Sequence, residues 1–200
     1  LAIYPTGTNS TIYLGGHGCG VRDLTFWQPE QNAASPIEYP FVICGISRQV
    51  TLENLTFVNV YQGINMSSSN MCCLRGIYGS PLSIGVTADK SAMVSRYEKF
   101  FFSPEYWSWS GLDGSPALDG PHKTYMRNYG VGVNIREMDD FYFMSAGIKG
   151  YNKGVTFKNG VSGDDPWGAL YDITTTDCEN GLYIENSKFI KIGHCTFQGS

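Results

Sequence analysis

Charged residues are scarce in this sequence, and the basic ones do not cluster. They make up 16% of the 200 positions, the formal net charge is −4, and no group of Lys and Arg is longer than a pair. Proteins that bind nucleic acid normally carry a basic patch or stripe. We therefore expect no nucleic-acid partner.

Long apolar runs and patterned cysteines are also absent. No apolar run reaches the roughly 18 residues typical of a membrane-spanning helix, and residues 1–10 lack the basic and apolar regions of a signal peptide. The six cysteines contain no CxxC pair and no spacing typical of a disulfide framework. We expect no membrane span, no zinc site and mostly buried, free cysteines. Because the repeats continue to both ends without a cap, we also expect a fragment of a longer chain.

Glycine and aromatic residues are plentiful by contrast. The chain has 24 glycines, and aromatic residues make up 14% of it. Such a composition indicates many turns and many flat side chains. A neutral glycan, bound by aromatic faces and a few hydrogen-bonding groups, suits it better than a charged polymer.

Short apolar stretches recur along the chain at irregular intervals of roughly 20–30 residues. Leu-Thr-Phe occurs at 24–26 and 55–57, and Thr-Phe returns at 196–197. Strand, tight turn and strand form the unit of a parallel solenoid. We predict an all-β, right-handed parallel β-helix over residues 1–200. The rival, an antiparallel β-sandwich, calls for more regular hairpin turns. The second unit shows the predicted inward set most clearly: Val50, Leu52, Leu55 and Phe57.

One segment, at about 108–131, interrupts the repeats. It is rich in Gly, Pro, Asp and Trp, and we predict a long loop that projects from the solenoid. Long loops in compact domains are often functional. At its start Trp107 and Trp109 alternate, so in an extended segment they would share one face. That face is interpreted either as a sugar-binding platform or as ordinary packing.

Three stretches together resemble the pectate-lyase-like superfamily of β-helix carbohydrate enzymes: VTLENLTF, GIYGSPLSIGVTADKS and FFFSPEYWS. The resemblance covers about residues 15–107 and implies the fold, which does not fix the reaction. Polygalacturonases of that superfamily carry motifs that are missing or in reversed order here. Pectate lyases use a calcium cluster of acids, to which Asp139 and Asp140 would contribute. A polysaccharide lyase with bound calcium is therefore one alternative.

The stretch SGDDPWGALYD, residues 162–172, holds two acids seven positions apart, Asp165 and Asp172. This spacing resembles the lacto-N-biosidases of glycoside hydrolase family 136. The resemblance implies that Asp165 is the general acid/base and Asp172 the nucleophile of a retaining enzyme that releases lacto-N-biose, with no cofactor. It also implies a secreted or bacterial cell-surface location. The candidate substrate-binding residues are Asp164, Trp167, Tyr171 and Trp107.

A retaining glycosidase needs its two carboxyl groups about 5 Å apart. Straight strand between Asp165 and Asp172 would hold them much too far apart. We therefore expect Gly163, Pro166 and Gly168 to form a turn that folds the chain back. Two interpretations stay open: a glycoside hydrolase site, or an ordinary polar turn in a non-catalytic glycan-binding or adhesive module.

Overall fold

The computed structural model describes residues 2–4 and 7–199; positions 1, 5, 6 and 200 of the predicted segment lie outside the described residues. Strands dominate this part of the chain, with two helices in one connection. In chain order the elements are β1 (Ala2–Ile3), β2 (Ile12–Leu14), β3 (Gly20–Phe26), β4 (Phe41–Gly45), β5 (Thr51–Phe57), β6 (Gln62–Asn65), β7 (Cys73–Gly79), β8 (Ile84–Ala88), β9 (Ser95–Phe102), α1 (Glu105–Ser108), α2 (Pro121–Tyr129), β10 (Val131–Ile135), β11 (Phe141–Lys149), β12 (Lys153–Phe157), β13 (Trp167–Cys178), β14 (Asn180–Ile184), β15 (Phe189–Gly193) and β16 (Thr196–Gly199).

The strands form two sheets in which every described pairing is parallel. The first sheet runs β1-β3-β5-β7-β9-β11-β13-β15, with β16 also beside β13, and the second runs β14-β12-β10-β8-β6-β4-β2. From β1 to β15 successive strands alternate between the sheets, so each pass of the chain adds one layer to both. This topology is compatible with a parallel β-helix, and it contradicts the antiparallel sandwich.

The long strands of the first sheet each contain a residue with left-handed backbone conformation, and these residues align. The strand registers place these left-handed residues next to one another in a single column that crosses the strands. We call it the bend column: Asp23 (φ 57°), Asn54 (51°), Gly76 (68°), Lys99 (59°), Ser145 (53°), Asp172 (58°) and His194 (52°). β13 pairs with β15 before Asp172 and with β16 after it. The column therefore divides the first sheet into an entry half before it and an exit half after it.

The interior is a column of apolar side chains from successive layers. Val50, Leu52, Leu55 and Phe57 are all completely buried, as predicted. Leu52 and Leu55 both point inward although they are three positions apart, because the left-handed residue Asn54 lies between them. Aromatic rings continue the stack; Phe26 and Phe57, for example, are parallel with centroids 5.0 Å apart. Each fully buried Leu, Ile or Phe contributes about 1.5–3 kcal/mol.

The connection between β9 and β10, residues 103–130, is the excursion. The segment predicted as a loop contains the nine-residue helix α2, which the sequence pattern missed. The helix begins with Pro121 at its first turn, after Gly120, and it buries His122 and Met126. The backbone N–H of Asn152 donates to the carbonyl of Met126 at 2.9 Å, which ties the helix to the body of the fold.

All six cysteines are free, and two of them, Cys72 and Cys178, are buried. Burial raises the pKa of Cys72 to about 11, so its thiol stays protonated near neutral pH. The other four are partly exposed, so the expectation that most are buried is wrong, whereas the expectation of free thiols is met. Neither described helix is long and apolar enough to cross a membrane.

Candidate functional site

An open cleft lies over the exit half of the first sheet, against the excursion. Its volume is about 830 Å³, within the range of roughly 300–1,000 Å³ typical of ligand sites. The sheet forms its floor and the start of the excursion forms its wall. The lining residues are Thr25, Thr56, Val58, Ser103, Glu105, Tyr106, Trp109, Ser110, Leu112 and Lys149.

Aromatic rings form one side of this cleft. Trp109 directly follows α1 and is 72% exposed, although Trp107 in the same segment is buried. Tyr106 tilts against Tyr78, with ring centroids 6.4 Å apart, and Tyr78 stacks on Phe101 at 5.9 Å. Tyr78 and Phe101 are paired neighbours on β7 and β9 and point away from the core. The rings therefore continue from the wall of the cleft onto the outer face of the sheet.

An ion pair lies at the base of the wall. The Nζ of Lys149, the last residue of β11, donates a hydrogen bond to Oε1 of Glu105 at 2.5 Å, and it lies 3.7 Å from Oδ2 of Asp177. The hydrogen bond to Glu105 is the main reason that the pKa of Lys149 is raised, and Asp177 adds to it. Lys149 is therefore a cation shared by two carboxylates at neutral pH.

Glu105 retains one oxygen without a partner. Its side chain is 14% exposed, and its Oε2 is buried with no hydrogen-bond partner among the described residues. Buried polar atoms are nearly always paired, so an unpaired acceptor in the wall of a cleft needs an explanation. This oxygen is shielded from solvent, although Glu105 as a residue lines the cleft.

Packing behind the wall fixes its position. The Oγ of Ser80 accepts a hydrogen bond from the N–H of Trp107 at 3.0 Å and donates to the carbonyl of Ser103 at 2.5 Å. The ring of His122 packs edge-on against Trp107, with centroids 5.5 Å apart, and its Nε2 lies 3.2 Å from the carbonyl of Pro104. Burial lowers the pKa of His122, so its neutral form is favoured. The start of the excursion is therefore part of the folded body.

Asp165 and Asp172, the predicted catalytic pair, lie on opposite sides of a straight stretch of strand. The expected turn between them is wrong: Gly163 turns the chain before Asp165, and β13 begins at Trp167 and includes Gly168. Trp167 to Tyr171 pair in unbroken register with β15. At about 3.3 Å per residue, that stretch spans about 13 Å, against the ~5 Å needed between the carboxyl groups of a retaining glycosidase.

Asp172 belongs to the bend column. It is exposed, has a φ of 58°, and accepts a hydrogen bond from the Oγ of Ser145 at 3.2 Å. Asp, Asn and Gly tolerate the left-handed region better than other residues. This backbone requirement accounts for an aspartate at position 172 without any chemistry.

The predicted substrate-binding residues near this strand share no large cleft. Asp164 is exposed, 3.8 Å from the Nζ of Lys188. Trp167 lines a cavity of about 90 Å³, below the roughly 300 Å³ of a typical ligand site. Tyr171 is exposed and packs edge-on against His194, with centroids 5.1 Å apart.

Trp107 is not accessible to a ligand. It lies in α1 and is 1% exposed, so its interpretation as a sugar platform is wrong and the packing interpretation is right. In a helix, residues two positions apart do not share a face. Trp109 consequently points to solvent while Trp107 packs inward.

Acidic residues do not gather into a metal site in the part of the chain described. No group of three or more His, Cys, Asp or Glu side chains is close enough to hold a metal ion there. Asp139 and Asp140, expected to contribute to a calcium cluster, are half-buried at the entry to β11. The N–H of Asp139 donates to the carbonyl of Ser91 at 2.7 Å.

The sequence presents Glu105 only as one acid among several. Its partner Lys149 lies 44 positions later, and no spacing rule joins them. The nearest signal is the aromatic segment at 106–109, which indicates the neighbourhood and not the ion pair.

No family model matches this chain, and no curated protein is similar to it. One solved structure that the chain resembles is the catalytic domain of a GH87 alpha-1,3-glucanase in complex with nigerose. The sequence identity is 10%, and the match covers 92% of this chain with a TM-score of 0.22. The chain spans about half the length of that structure, 56%. A TM-score this low carries no argument about site or activity.

Proposed function

We propose that this chain binds oligosaccharides in the cleft between the excursion and the exit half of the first sheet. One observation carries the proposal: the exposed ring of Trp109, the ring of Tyr106 and the acidic residue Glu105 line the same open cleft of about 830 Å³. Pyranose rings offer apolar C–H faces and a rim of hydroxyls. Trp109 and Tyr106 suit the faces, and Glu105, Thr25 and Thr56 suit the rim.

The proposed fold supports the same ligand. In a right-handed parallel β-helix, the usual hand of parallel crossovers, outward side chains repeat at the strand spacing of about 4.8 Å. Thr25, Thr56, Tyr78 and Phe101 are such a row on neighbouring strands. A chain of sugars lying across the strands would contact a comparable group at each step. A glycan-binding protein of this kind would act outside the cell, which fits the expected secreted or cell-surface location.

Affinity measurements with a single-residue variant test the binding site. Trp109→Ala removes the most exposed ring of the cleft, and we expect at least a ten-fold loss of affinity (about 1.4 kcal/mol) for the best oligosaccharide ligand in titration calorimetry. Tyr13→Ala is the matched control, because Tyr13 is similarly exposed but lies on β2 of the second sheet. Equal losses in both variants, or no binding of any glycan by the native protein, would contradict the proposal.

Glycoside hydrolysis is a second candidate, favoured by the two carboxyl groups around Lys149. Glu105 Oε1 and Asp177 Oδ2 contact the same ammonium at 2.5 and 3.7 Å, so they lie within about 6 Å of each other. This upper limit includes the separation of about 5 Å at which the two carboxyl groups of a retaining glycosidase flank the glycosidic bond. Hydrolysis would need one of them to protonate the leaving oxygen and the other to attack the anomeric carbon or to activate water. The straight strand argues against Asp165 and Asp172 as that pair.

Substitutions at both sites separate the two assignments. We expect Glu105→Gln and Asp177→Asn each to lower hydrolysis at least about 100-fold, measured on a panel of oligosaccharides that includes aryl lacto-N-bioside. Asp165→Asn and Asp172→Asn serve as controls and should retain activity. The reverse outcome, activity lost in the controls and kept in Glu105→Gln, would assign the reaction to the pair predicted from the sequence.

A further inference from the structure

We infer that this cleft selects neutral glycans over glycans that carry uronate or sulfate groups, and that the Glu105–Lys149 pair sets this preference. The inference rests on the proposed function, because it names the ligand class of the same cleft. It also assigns a role in ligand specificity to Glu105 and Lys149, which both line the cleft.

Recognition of an anionic sugar is favoured by a cation whose charge is not already balanced by neighbouring carboxylates. Arg and Lys bind carboxylate and sulfate through charge-assisted hydrogen bonds. Among the described residues that line the cleft, Lys149 alone carries a positive charge. Any uronate in the cleft would therefore depend on this lysine.

Lys149 is already engaged by two carboxylates. Its Nζ donates to Glu105 at 2.5 Å, and Asp177 lies 3.7 Å away on the neighbouring strand. One lysine and two acids leave this cluster with a formal charge of −1. A ligand carboxylate would meet Glu105 and Asp177 as like charges, and these two acids already balance the positive charge of Lys149.

The other lining groups suit hydroxyls and apolar faces. Thr25, Thr56 and Ser103 present hydroxyl groups, whereas Tyr106 and Trp109 present rings. Glu105 also lines the cleft, and its carboxylate is an acceptor, so it favours a ligand that donates, as a sugar hydroxyl does. A uronate in that place would put acceptor against acceptor.

Each glycan that carries uronate groups has a neutral counterpart of the same linkage, made by reduction of its carboxyl groups. Pairs of the acidic and the reduced form test the inference directly. Polygalacturonate, alginate and glucuronoxylan fragments are each compared with their reduced forms by titration calorimetry at low salt. We expect the native protein to bind at least one reduced form, and to bind it at least about five-fold more tightly than the acidic form, the effect of about 1 kcal/mol of like-charge repulsion.

Glu105→Gln should free Lys149 and shift the ratio of acidic to neutral affinity at least about five-fold toward the acidic form. The shift should shrink as salt is raised. Glu185→Gln is the matched control, since it removes the partner of Lys158, 3.5 Å away. These two residues directly follow β14 and β12 of the second sheet and are not among the residues that line the cleft. The ratio in Glu185→Gln should stay that of the native protein.

The outcomes separate this inference from the proposed function. Tighter binding of acidic forms by the native protein would overturn the neutral preference and leave glycan binding standing. An unchanged ratio in Glu105→Gln would overturn the role of the ion pair. Binding of neither form in any pair would overturn both.

Discussion

The two halves of the first sheet, on either side of the bend column, present different outer surfaces. Before the bend, neighbouring strands carry a row that begins with charges of alternating sign: Arg22, Glu53, Arg75, Glu98, Met144 and Tyr171. After the bend, the corresponding row is uncharged: Thr25, Thr56, Tyr78, Phe101, Gly147 and Thr174. Only the second row lies beside the excursion and its cleft.

This difference favours the exit half over the entry half as the proposed ligand site. A ligand on the entry half would have to displace water from charges such as Arg75 and Glu98, which pair at 3.4 Å, and desolvating charges is costly. Hydroxyls and aromatic rings lose less when they are covered. The excursion then adds a wall, which turns a flat sheet face into a concave site.

Removing the packing of the wall should have the largest effect. Trp107→Ala leaves a cavity behind α1, and we expect a loss of about 3–5 kcal/mol in the free energy of unfolding, measured by chemical denaturation. Hydrogen exchange should rise in the excursion, residues 103–130, more than in the entry-half strands. Equal increases in hydrogen exchange in both regions would show that the excursion does not unfold independently of the entry-half strands.

A substitution within the bend column tests the boundary between the halves. Ser145→Val places a β-branched residue at a φ of 53° and removes the hydrogen bond to Asp172. We expect about 2 kcal/mol of destabilisation in thermal or chemical unfolding, from the backbone strain and the lost bond. Ser145→Gly is the control for the lost hydroxyl, because glycine accepts this conformation. Similar stability of Val and Gly variants would argue against strain at the bend.

A smaller, pH-dependent effect should appear in the excursion alone. Burial lowers the pKa of His122 in the folded state below its ordinary value of 6.5. The unfolded chain therefore binds the proton more readily, so stability is full above pH 6.5 and falls as the pH drops below it. We expect hydrogen exchange of α2 to increase, and glycan affinity to fall, from pH 7 to 5. Exchange of α2 that does not change over this range would contradict the account.

Local pattern in the sequence was enough to predict the strands but not the site. Leu52, Leu55 and Phe57 were recognised as core residues because inward positions recur within one strand. Leu52 and Leu55 are three positions apart because the left-handed residue Asn54 lies between them. The simple alternation of inward and outward residues does not predict such a residue. Helix α2 was missed because most of its nine residues are polar, although the Gly-Pro start was a usable signal.

The cleft could not be predicted from local sequence pattern, because residues far apart in the sequence form it. Glu105 and Lys149 meet only because the excursion leaves the sheet after β9 and its start packs back beside the end of β11. Asp165 and Asp172, in contrast, are close in sequence and are separated by extended backbone. Closeness along the chain therefore does not bring these two acids together, whereas folding brings Glu105 and Asp177 to the same lysine.

A crystal structure of the protein with a bound neutral oligosaccharide tests the central claim most directly. The account predicts sugar rings against Trp109 and Tyr106, with a hydroxyl donating to the carboxylate of Glu105. Sugar on the entry half, beside Tyr171 and between Asp165 and Asp172, with an empty cleft, would contradict it.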